Sequence, residues 1–479
     1  MREYLNLAKK ISEIILSSKE IIVVSHIDAD GISAAGIASS SLERAGIEHK
    51  VLFTKQLDSN MLSKIKDMNP DLVWFTDLGS GQVHEILDMR AVITDHHFPS
   101  NLNPNIPLEK RKNILEFLDS MSKREIYQLN PHLFGKDGAL DISGAGVTYI
   151  VSRELKYFNY DLSKYAIVGA VGDLQDNAYL KLIGTNRYIL KEGEEYGFIR
   201  STIDIRLFGR ETRPLPKFLS YSNDPVIPGI TNDERGVLKL LDELGIPIYD
   251  NNGKERTWVD LSIEEKRKIL SHIVIRLLTM GFDSVYVTRL IGEVYLFPDE
   301  KKYSHLSDAK EFATLLNSCG RYNRPELGLK IIKGDREDAV RESVEMLKNH
   351  KKIIIDSINY VREIGIIKEK NYQYFDAGSK IPDTVLGTIV NMTLSINLAD
   401  QNLPIFGFVD DGNGMIKVSA RASRSLIEKG LDLSKILSEA ARIVGGYGGG
   451  HNIAAGGSIP KGTQLEFLKA VERLILKGE

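Results

Sequence analysis

The stretch Arg90-Ala91-Val92-Ile93-Thr94-Asp95-His96-His97 places a carboxylate and two imidazoles directly after a run of apolar residues. A short apolar run of this kind predicts a buried β-strand, so Asp95, His96 and His97 are expected at its carboxyl end. In open α/β sheets, ligands bind outside the carboxyl ends of the strands. The stretch therefore predicts a functional site at one edge of a sheet.

Three further polar clusters follow apolar segments in the same way. They are His26, Asp28 and Asp30 after a strand at 21–24, Asp77 after a strand at 71–75, and Asp173 after a helix at 162–171. Helical patterns separate the predicted strands, at 1–19, 32–45, 58–67 and 81–88, and residues 98–140 show no regular pattern. Alternating strands and helices joined by short loops predict βαβ units and a parallel sheet.

The predicted fold class is α/β. A chain of 479 residues is too long for one hydrophobic core, so two or three domains are expected. We predict a parallel-sheet domain at 1–195, a largely helical middle section at 196–350 and a C-terminal α/β domain at 351–479. The pattern alone assigns no fold to the middle section. Strands of the last domain are predicted at 364–368, 405–410 and 415–419, after a long helix at 336–361.

Composition narrows the class of protein. Lys and Arg (62) nearly balance Asp and Glu (65), so any nucleic acid must be bound in a local groove rather than by a general positive field. The single cysteine, Cys319, excludes an internal disulfide framework and indicates a reducing compartment. Without an apolar run of membrane-spanning length or a signal-peptide pattern, we expect a cytoplasmic protein with no membrane partner.

The four polar clusters have a composition that suits metal ions. Carboxylates together with neutral imidazoles bind Mn²⁺, Mg²⁺ or Zn²⁺, and the absence of thiolates argues against structural zinc. About six ligands exceed what one ion takes from a protein while leaving room for a substrate. A pair of ions about 4 Å apart, which activates water in phosphoester hydrolysis, accounts for the set.

Each cluster also has a structural explanation. Asp30-Gly31 is compatible with a simple turn, Asp77 with a helix N-cap and Gly172-Asp173 with another turn. Paired surface histidines are often only solvated. The occurrence of four such clusters at element ends, within one predicted βαβ domain, favours a shared site.

These motifs resemble those of the DHH phosphoesterase superfamily, whose defining motif stands here as Asp95-His96-His97. Its C-terminal associated domain is similar to the segment 448–456, preceded by an arginine-bearing strand at 419–425. The segment Leu316 to Arg321 resembles the asparagine-to-arginine motif of RecJ exonucleases. The compact length, without an additional OB domain, is most similar to archaeal RecJ-like nucleases that associate with GINS. One departure is His26, where bacterial RecJ usually has aspartate.

The resemblance implies a role for each ligand. His26, Asp28 and Asp77 would hold one divalent ion, and Asp30, Asp77, His96 and Asp173 would hold the second, with Asp77 bridging. Mn²⁺ is the expected ion and Mg²⁺ the alternative. Two residues would be catalytic: His97 would face the scissile phosphate, and Asp95 would orient the neighbouring imidazoles.

The resemblance also implies a set of substrate-binding residues. They are Asn317, Arg321, Arg421, Arg424, Gly448, Gly449, Gly450 and His451. Guanidinium groups bind phosphate bidentately, and glycines let backbone N–H groups approach a nucleotide closely. The alternatives are surface ion pairs for the arginines, a flexible linker for the glycines and a packed loop histidine.

The expected function is that of a two-metal, single-strand-specific exonuclease in DNA replication or repair. Its expected substrates are single-stranded DNA, cut from 5′ to 3′, and RNA, and its expected partners are GINS and the replicative helicase. One alternative is a phosphodiesterase of short oligonucleotides or cyclic dinucleotides, although such proteins lack the middle section. The other is a replisome scaffold, although the eukaryotic relative has lost metal ligands that this chain retains.

Overall fold

The apolar runs around the quoted stretch form a five-stranded parallel sheet in the computed structural model. Its strands are β1 (Glu20–His26), β2 (Glu48–Thr54), β3 (Leu72–Thr76), β4 (Ala91–Thr94) and β5 (Ile126–Leu129). Their order is β2-β1-β3-β4-β5, so the winding reverses between β1 and β3. In a doubly wound sheet this switch point opens a crevice for ligands. The structure describes residues 2–86, 88–99, 126–155, 158–222, 225–412 and 414–477.

Helices cover both faces of this sheet. They are α1 (Arg2–Leu16), α2 (Ala29–Ala45), α3 (Ser59–Asp67), α4 (Gly144–Leu155), α5 (Ser163–Gly172) and α6 (Gly184–Glu195). On one face, Val24, Phe75 and Ile93 pack against Leu62 and Ile65 of α3. On the other, α2 packs against both α4 and α5. The predicted helix at 81–88 is instead a 3₁₀ segment, Ser80–Glu85.

The segment 98–140, which shows no regular pattern in the sequence, nevertheless contains β5 and part of the connection from β5 to α4. Residues 100–125 of that range lie outside the described residues. β5 pairs in parallel with β4, and its residues Ile126 and Leu129 are buried. Its four-residue length leaves too little sequence for an alternating pattern to be recognised.

The middle section is built around an inserted core. β6 (Arg200–Ile205) and β7 (Ile291–Leu296) form an antiparallel ribbon, and the chain between them packs around Trp258, Ile269 and Ile273. Its helices are α7 (Leu215–Ser220), α8 (Glu234–Glu243), α9 (Ile263–Thr279) and α10 (Ser284–Thr288). After the ribbon, α11 (Ala309–Arg321) and α12 (Pro325–Ile332) pack against α2. The helical middle section is therefore confirmed.

The chain divides into two compact units, Met1–Val344 and Glu345–Glu479, with the long helix α13 (Asp338–Ile364) crossing the division. The second unit has a six-stranded sheet in the order β12-β13-β11-β10-β9-β8. The strands are β8 (Ile367–Lys368), β9 (Gln373–Asp376), β10 (Ile405–Asp410), β11 (Met415–Arg421), β12 (Tyr447–Gly450) and β13 (Ala454–Pro460). The α/β fold class is thus confirmed for both ends of the chain, whereas the three predicted domain boundaries remain predictions.

Two cores sandwich this second sheet. Phe406 and Phe408 pack with Leu437 and Phe467 on one face, and Ile405 lies in the core on the other face. The helices are α14 (Leu386–Ser395), α15 (Arg424–Glu428), α16 (Leu433–Ile443) and α17 (Gln464–Lys477). Among the described residues, no helix has the length and apolarity that crossing a bilayer requires.

Candidate metal centre

The first polar cluster lies where β1 passes into α2. His26 is the last residue of β1, and Asp28 is the N-cap of α2, with its Oδ1 accepting the Gly31 N–H at 2.9 Å. The other oxygen, Oδ2, lies 2.9 Å from His26 Nδ1. Burial works to raise the pKa of Asp28, but His26 outweighs it and the pKa is lowered. Asp28 therefore caps a helix and faces the site at the same time.

Asp77 directly follows β3 and is almost fully buried. Its φ of 57° is left-handed, an uncommon and strained conformation for a residue with a side chain, and the N-cap of the following 3₁₀ segment is Gly79 and not Asp77. Oδ1 lies 3.4 Å from His96 Nε2, and Oδ2 lies 3.9 Å from His26 Nδ1. Burial and the charges of Asp30 and Asp28 raise the pKa of Asp77 well above its usual range.

Asp30 is buried in the first turn of α2 and is held by the start of α4. Its Oδ2 accepts the Gly144 N–H at 2.7 Å, and its Oδ1 accepts the Ala145 N–H at 3.0 Å. The partial positive charge of a helix N-terminus stabilises such a carboxylate. Burial and the nearby charge of Asp173 nevertheless raise the pKa of Asp30 to about 6.

His96 is oriented by a backbone carbonyl. Its Nδ1 lies 2.8 Å from the Gly138 oxygen, a contact that requires a proton on Nδ1. The other nitrogen, Nε2, therefore faces Asp173 Oδ2 at 3.2 Å and Asp30 Oδ2 at 3.7 Å. Metal-binding histidines commonly donate their second N–H to a carbonyl in this way.

Asp95 lies behind the two histidines that follow it. Its Oδ1 accepts the backbone N–H groups of His96 at 2.8 Å and His97 at 3.1 Å, and it lies 2.8 Å from His97 Nδ1. Oδ2 accepts the Ser80 N–H at 3.0 Å. Burial alone would raise the pKa of Asp95, but the His97 hydrogen bond and imidazole charges lower it. The His97 ring itself is 58% exposed and available to a ligand.

The ligand atoms converge into three groups, each with its atoms within 4.8 Å of one another. The groups are His26, Asp28 and Asp77; Asp30, His96 and Asp173; and Asp77, His96 and His97. Among the described residues, buried Asp77 Oδ1 and His96 Nε2 have no hydrogen-bond partner. Unpartnered buried groups of this kind are costly, and a divalent cation would satisfy them. The donor set therefore fits divalent metal ions.

Sequence reasoning missed the backbone groups that orient the site. A Cβ on Gly144 would overlap Asp77, so only glycine lets the start of α4 approach both Asp77 and Asp30. Gly138 contributes its carbonyl oxygen, and a Cβ there would overlap the His96 carbonyl oxygen. Its glycine identity and position before α4 were the only available signals, and neither points to a particular partner.

The two predicted substrate residues of the first unit lie on α11. Asn317 is half-buried, and its Oδ1 accepts the Ala29 N–H at 2.9 Å, between the two aspartates of the first cluster. Arg321 is the last residue of α11 and is exposed. The structure thus brings this motif to the first cluster, whereas a contact with substrate stays a prediction.

The remaining substrate residues lie in the second unit. Arg421 ends β11 and donates to the Ala420 oxygen at 2.8 Å, while burial lowers its pKa. Arg424 is exposed at the start of α15. Arg421 lies opposite Ala454 in the pairing of β11 with β13. The N–H of exposed His451 donates to the Ala454 oxygen at 2.8 Å, in the turn that joins β12 to β13. Arg421 and His451 therefore lie at the same end of this sheet.

The predicted glycine loop is instead an edge strand. Gly448, Gly449 and Gly450 form most of β12, which pairs antiparallel with β13. A Cβ on Gly448 would overlap Leu437 of α16, whereas a Cβ on Gly449 would meet open space. The flexible-linker alternative is therefore excluded, because the run is part of a sheet.

A parallel sheet with clustered carboxylates and imidazoles at its switch point supports a metal-binding hydrolase. Two family models match the chain: the DHH-CID domain at residues 207–291 and the DHHA1 domain at residues 369–477. An uncharacterized protein of Methanocaldococcus jannaschii is 31% identical over 481 residues, covering 99% of this chain and 98% of that protein. The chain belongs to the DHH superfamily, and its fold is RecJ-like.

Solved structures share the fold. The exonuclease RecJ bound to manganese aligns with a TM-score of 0.57 and 16% identity, covering 99% of this chain and 94% of that one. CDC45 from Entamoeba histolytica aligns with a TM-score of 0.62 and 15% identity, covering 99% of this chain and 97% of that one. The RecJ-like fold supports a phosphoesterase or nuclease, and the acidic clusters support divalent metal binding.

Proposed function

We propose that the protein is a two-metal-dependent exonuclease that hydrolyses phosphodiester bonds of single-stranded nucleic acid. DNA is the proposed main substrate, degraded from 5′ to 3′, and RNA is the second. The observation that carries the proposal is the convergence of six donors, His26, Asp28, Asp30, Asp77, His96 and Asp173, at one sheet edge. We place the activity in DNA replication or repair in the cytoplasm.

In this proposal His26, Asp28 and Asp77 hold one ion, and Asp30, Asp77, His96 and Asp173 hold the other. The contacts of Asp77 with both His26 and His96 support its role as the shared ligand. Mn²⁺ is the proposed ion, with Mg²⁺ as the alternative. Such ions lower the pKa of water and neutralise charge on phosphate.

His97 and Asp95 are the proposed catalytic pair. Asp95 accepts from Nδ1 of His97, which leaves the exposed Nε2 edge of the ring to meet a phosphate oxygen or leaving group. The four hydrogen bonds that Asp95 accepts and the imidazole charges outweigh its burial and lower its pKa, and its carboxylate in turn raises the pKa of His97. The pair thus orients one imidazole for charge stabilisation or proton donation.

Digestion of end-labelled single strands of DNA and RNA, with Mn²⁺ or Mg²⁺, tests the proposal. We expect metal-dependent release of mononucleotides from the 5′ end and little cutting of blunt duplex. Faster hydrolysis of a dinucleotide than of a long strand would favour the short-oligonucleotide alternative. No hydrolysis of any of these substrates would overturn the proposal.

A second role is favoured by the inserted section. Residues 207–291 have their own hydrophobic core and match the DHH-CID model. The fold shared with CDC45 covers nearly the whole chain, this section included. We propose that GINS, and through it the replicative helicase, binds this protein in addition to nucleic acid. Co-purification of GINS with the full chain tests this role, and a failure to co-purify leaves the hydrolase proposal intact.

A further inference from the structure

The loop between His26 and α2 is held from outside by α11. Asn317 Oδ1 accepts the Ala29 N–H at 2.9 Å across a sequence separation of 288 residues. At the start of α2 the N–H of Gly31 is already capped by Asp28. Asn317 therefore caps another of the N–H groups that a helix N-terminus leaves without a partner.

A second contact with the loop is made by α11, about one turn after Asn317. Gly320 packs so closely on the loop that an added Cβ would overlap the Ile27 carbonyl oxygen. Ile27 of the loop and Ala29 at the start of α2 are thus both in contact with α11, and Asp28 lies between them. A shift of this loop would move Asp28 and Asp30 relative to His26 and Asp77.

The opposite end of α11 is anchored in the inserted section. Asp308, the N-cap of α11, forms an ion pair of 2.9 Å with buried Arg210. Glu311 is fully buried and accepts the Glu211 N–H at 2.9 Å and the Thr212 hydroxyl at 2.5 Å. These charged, buried contacts fix the helix along its axis, so it can serve as a rigid support.

We infer that Asn317 is a positioning residue for the metal centre and not primarily a substrate contact. It positions the loop that carries Asp28 and the first turn of α2 that carries Asp30, and Gly320 lets α11 come close enough for this contact. The inference rests on the proposed metal-dependent function. Loss of a group that orients metal ligands typically weakens metal affinity about 10- to 100-fold.

Isothermal titration of the full-length protein with Mn²⁺ tests the inference without reference to activity. We expect Asn317→Ala to weaken Mn²⁺ binding about 10-fold or more, and Asn317→Asp, which keeps the acceptor oxygen, to remain within a few-fold of the parent chain. Gly320→Ala should weaken binding independently, because its methyl group displaces the loop. The matched control is Thr314→Ala, whose hydroxyl donates within α11 to the Lys310 oxygen at 2.7 Å.

Hydrolysis measured across Mn²⁺ concentrations separates the two roles of Asn317. For Asn317→Ala we expect the rate to recover towards that of the parent chain at saturating Mn²⁺, with little change in KM for the strand. Unchanged Mn²⁺ affinity in both Asn317→Ala and Gly320→Ala, or a raised KM that Mn²⁺ cannot restore, would overturn the inference. If the parent chain itself binds no Mn²⁺, the proposed function fails instead, which is a distinguishable result.

Discussion

Asp77 connects the two halves of the candidate metal centre at the level of a single residue. Its carboxylate faces His26 with one oxygen and His96 with the other, from a strained backbone with a φ of 57°. Strain of this kind persists only where the surrounding structure holds it, and it is concentrated at functional sites. Among the described residues, its Oδ1 has no hydrogen-bond partner, which leaves it available to an ion.

We expect Asp77→Asn to abolish tight Mn²⁺ binding and to lower hydrolysis on the order of 100-fold or more, since metal ions supply several kcal/mol of transition-state stabilisation. Titration calorimetry and single-strand digestion are the measurements. Asp88→Asn, which removes a charge that is 62% exposed and paired with Lys66, is the matched control. Retention of Mn²⁺ binding by Asp77→Asn would contradict its role as the shared ligand.

Asp95→Asn should separate orientation from ligation. Asparagine keeps the volume but has only one acceptor oxygen. Either the Ser80 N–H loses its acceptor, or all three groups that share Oδ1 lose theirs, namely the His96 N–H, the His97 N–H and His97 Nδ1. We expect a loss of about 1–3 kcal/mol in unfolding free energy and a clear fall in kcat. Mn²⁺ affinity should change only a few-fold. Chemical denaturation, calorimetry and steady-state kinetics measure the three quantities, and loss of all Mn²⁺ binding would assign Asp95 to the ligands instead.

The side chains of the site could be predicted individually, but their support could not. Asp30, Asp77 and His96 each follow an apolar element, and parallel strands bring such ends together at one edge. The N–H groups of Gly144 and Ala145 and the Gly138 carbonyl are backbone groups, which carry no side-chain signal, and the two glycines are required only because the chain passes so close to Asp77 and His96. Their contribution depends on a three-dimensional approach that leaves almost no pattern in the sequence.

At the level of elements, the neighbouring glycines of β12 offer a matched pair. Gly448→Ala should destabilise the second unit by about 1–3 kcal/mol, because its methyl group would overlap Leu437 in a packed core. Gly449→Ala meets open space and should leave the unfolding free energy nearly unchanged. If the strand contacts substrate as predicted, Gly449→Ala raises KM for a single strand without altering stability. An unchanged KM would remove β12 from the substrate-binding set.

The start of α9 carries a pH-dependent cap. Glu265 accepts two hydrogen bonds from Arg256, at 2.8 and 2.7 Å, and one from the Ser262 N–H at 2.7 Å. The Arg256 bonds lower the pKa of Glu265 to about 2, below its ordinary value of 4.5. Because the pKa of Glu265 is lower in the folded state, its ionised carboxylate stabilises the fold fully above pH 4.5. This contribution to the unfolding free energy is lost as the pH falls towards 2 and the carboxylate is protonated.

We therefore expect Glu265→Gln to lower the unfolding free energy by about 1–2 kcal/mol at pH 7, and by roughly half of that or less at pH 3. Urea denaturation of both proteins at the two pH values measures the difference. Glu264→Gln, in the same first turn of α9, is the matched control and should show no such pH dependence. An equal effect at both pH values would mean that the contribution is not ionic.

The strands and helices that could be predicted from the sequence are those that bury one or both of their faces, because burial leaves an apolar pattern. β1, β3 and β4 each contain a continuous run of buried apolar residues, and their positions were predicted to within a few residues. β6 is mostly exposed, and β12 consists largely of glycine, so neither carries an apolar alternation. Both are strands because of their partners, β7 and β13, and pairing with a distant segment overrides local propensity.

At the level of the whole molecule, the insertion explains why the middle section resisted prediction. Its two ends are neighbours, since the Arg206 N–H donates to the Leu290 oxygen at 2.9 Å. The section 207–291 can therefore have its own core around Trp258 while the chain returns through α11 to the metal centre. In the sequence, the inserted section and α11 follow each other without a visible boundary. In the structure, the inserted section has its own core, and α11 packs against α2.

The two compact units predict a division of tasks that can be measured. All six proposed ligands lie in Met1–Val344, and the glycine strand, Arg421 and His451 lie in Glu345–Glu479, which has separate hydrophobic cores. We expect Met1–Val344, produced alone, to bind Mn²⁺ within a few-fold of the full chain. Its KM for a long single strand should rise about 10-fold or more, because each lost charge-assisted hydrogen bond contributes about 1.5–3 kcal/mol.

The separate Glu345–Glu479 unit should unfold cooperatively and bind Mn²⁺ weakly or not at all. Calorimetry, denaturation and digestion of the separate units against the full chain measure these quantities. An unchanged KM for Met1–Val344 would show that the first unit alone selects the substrate.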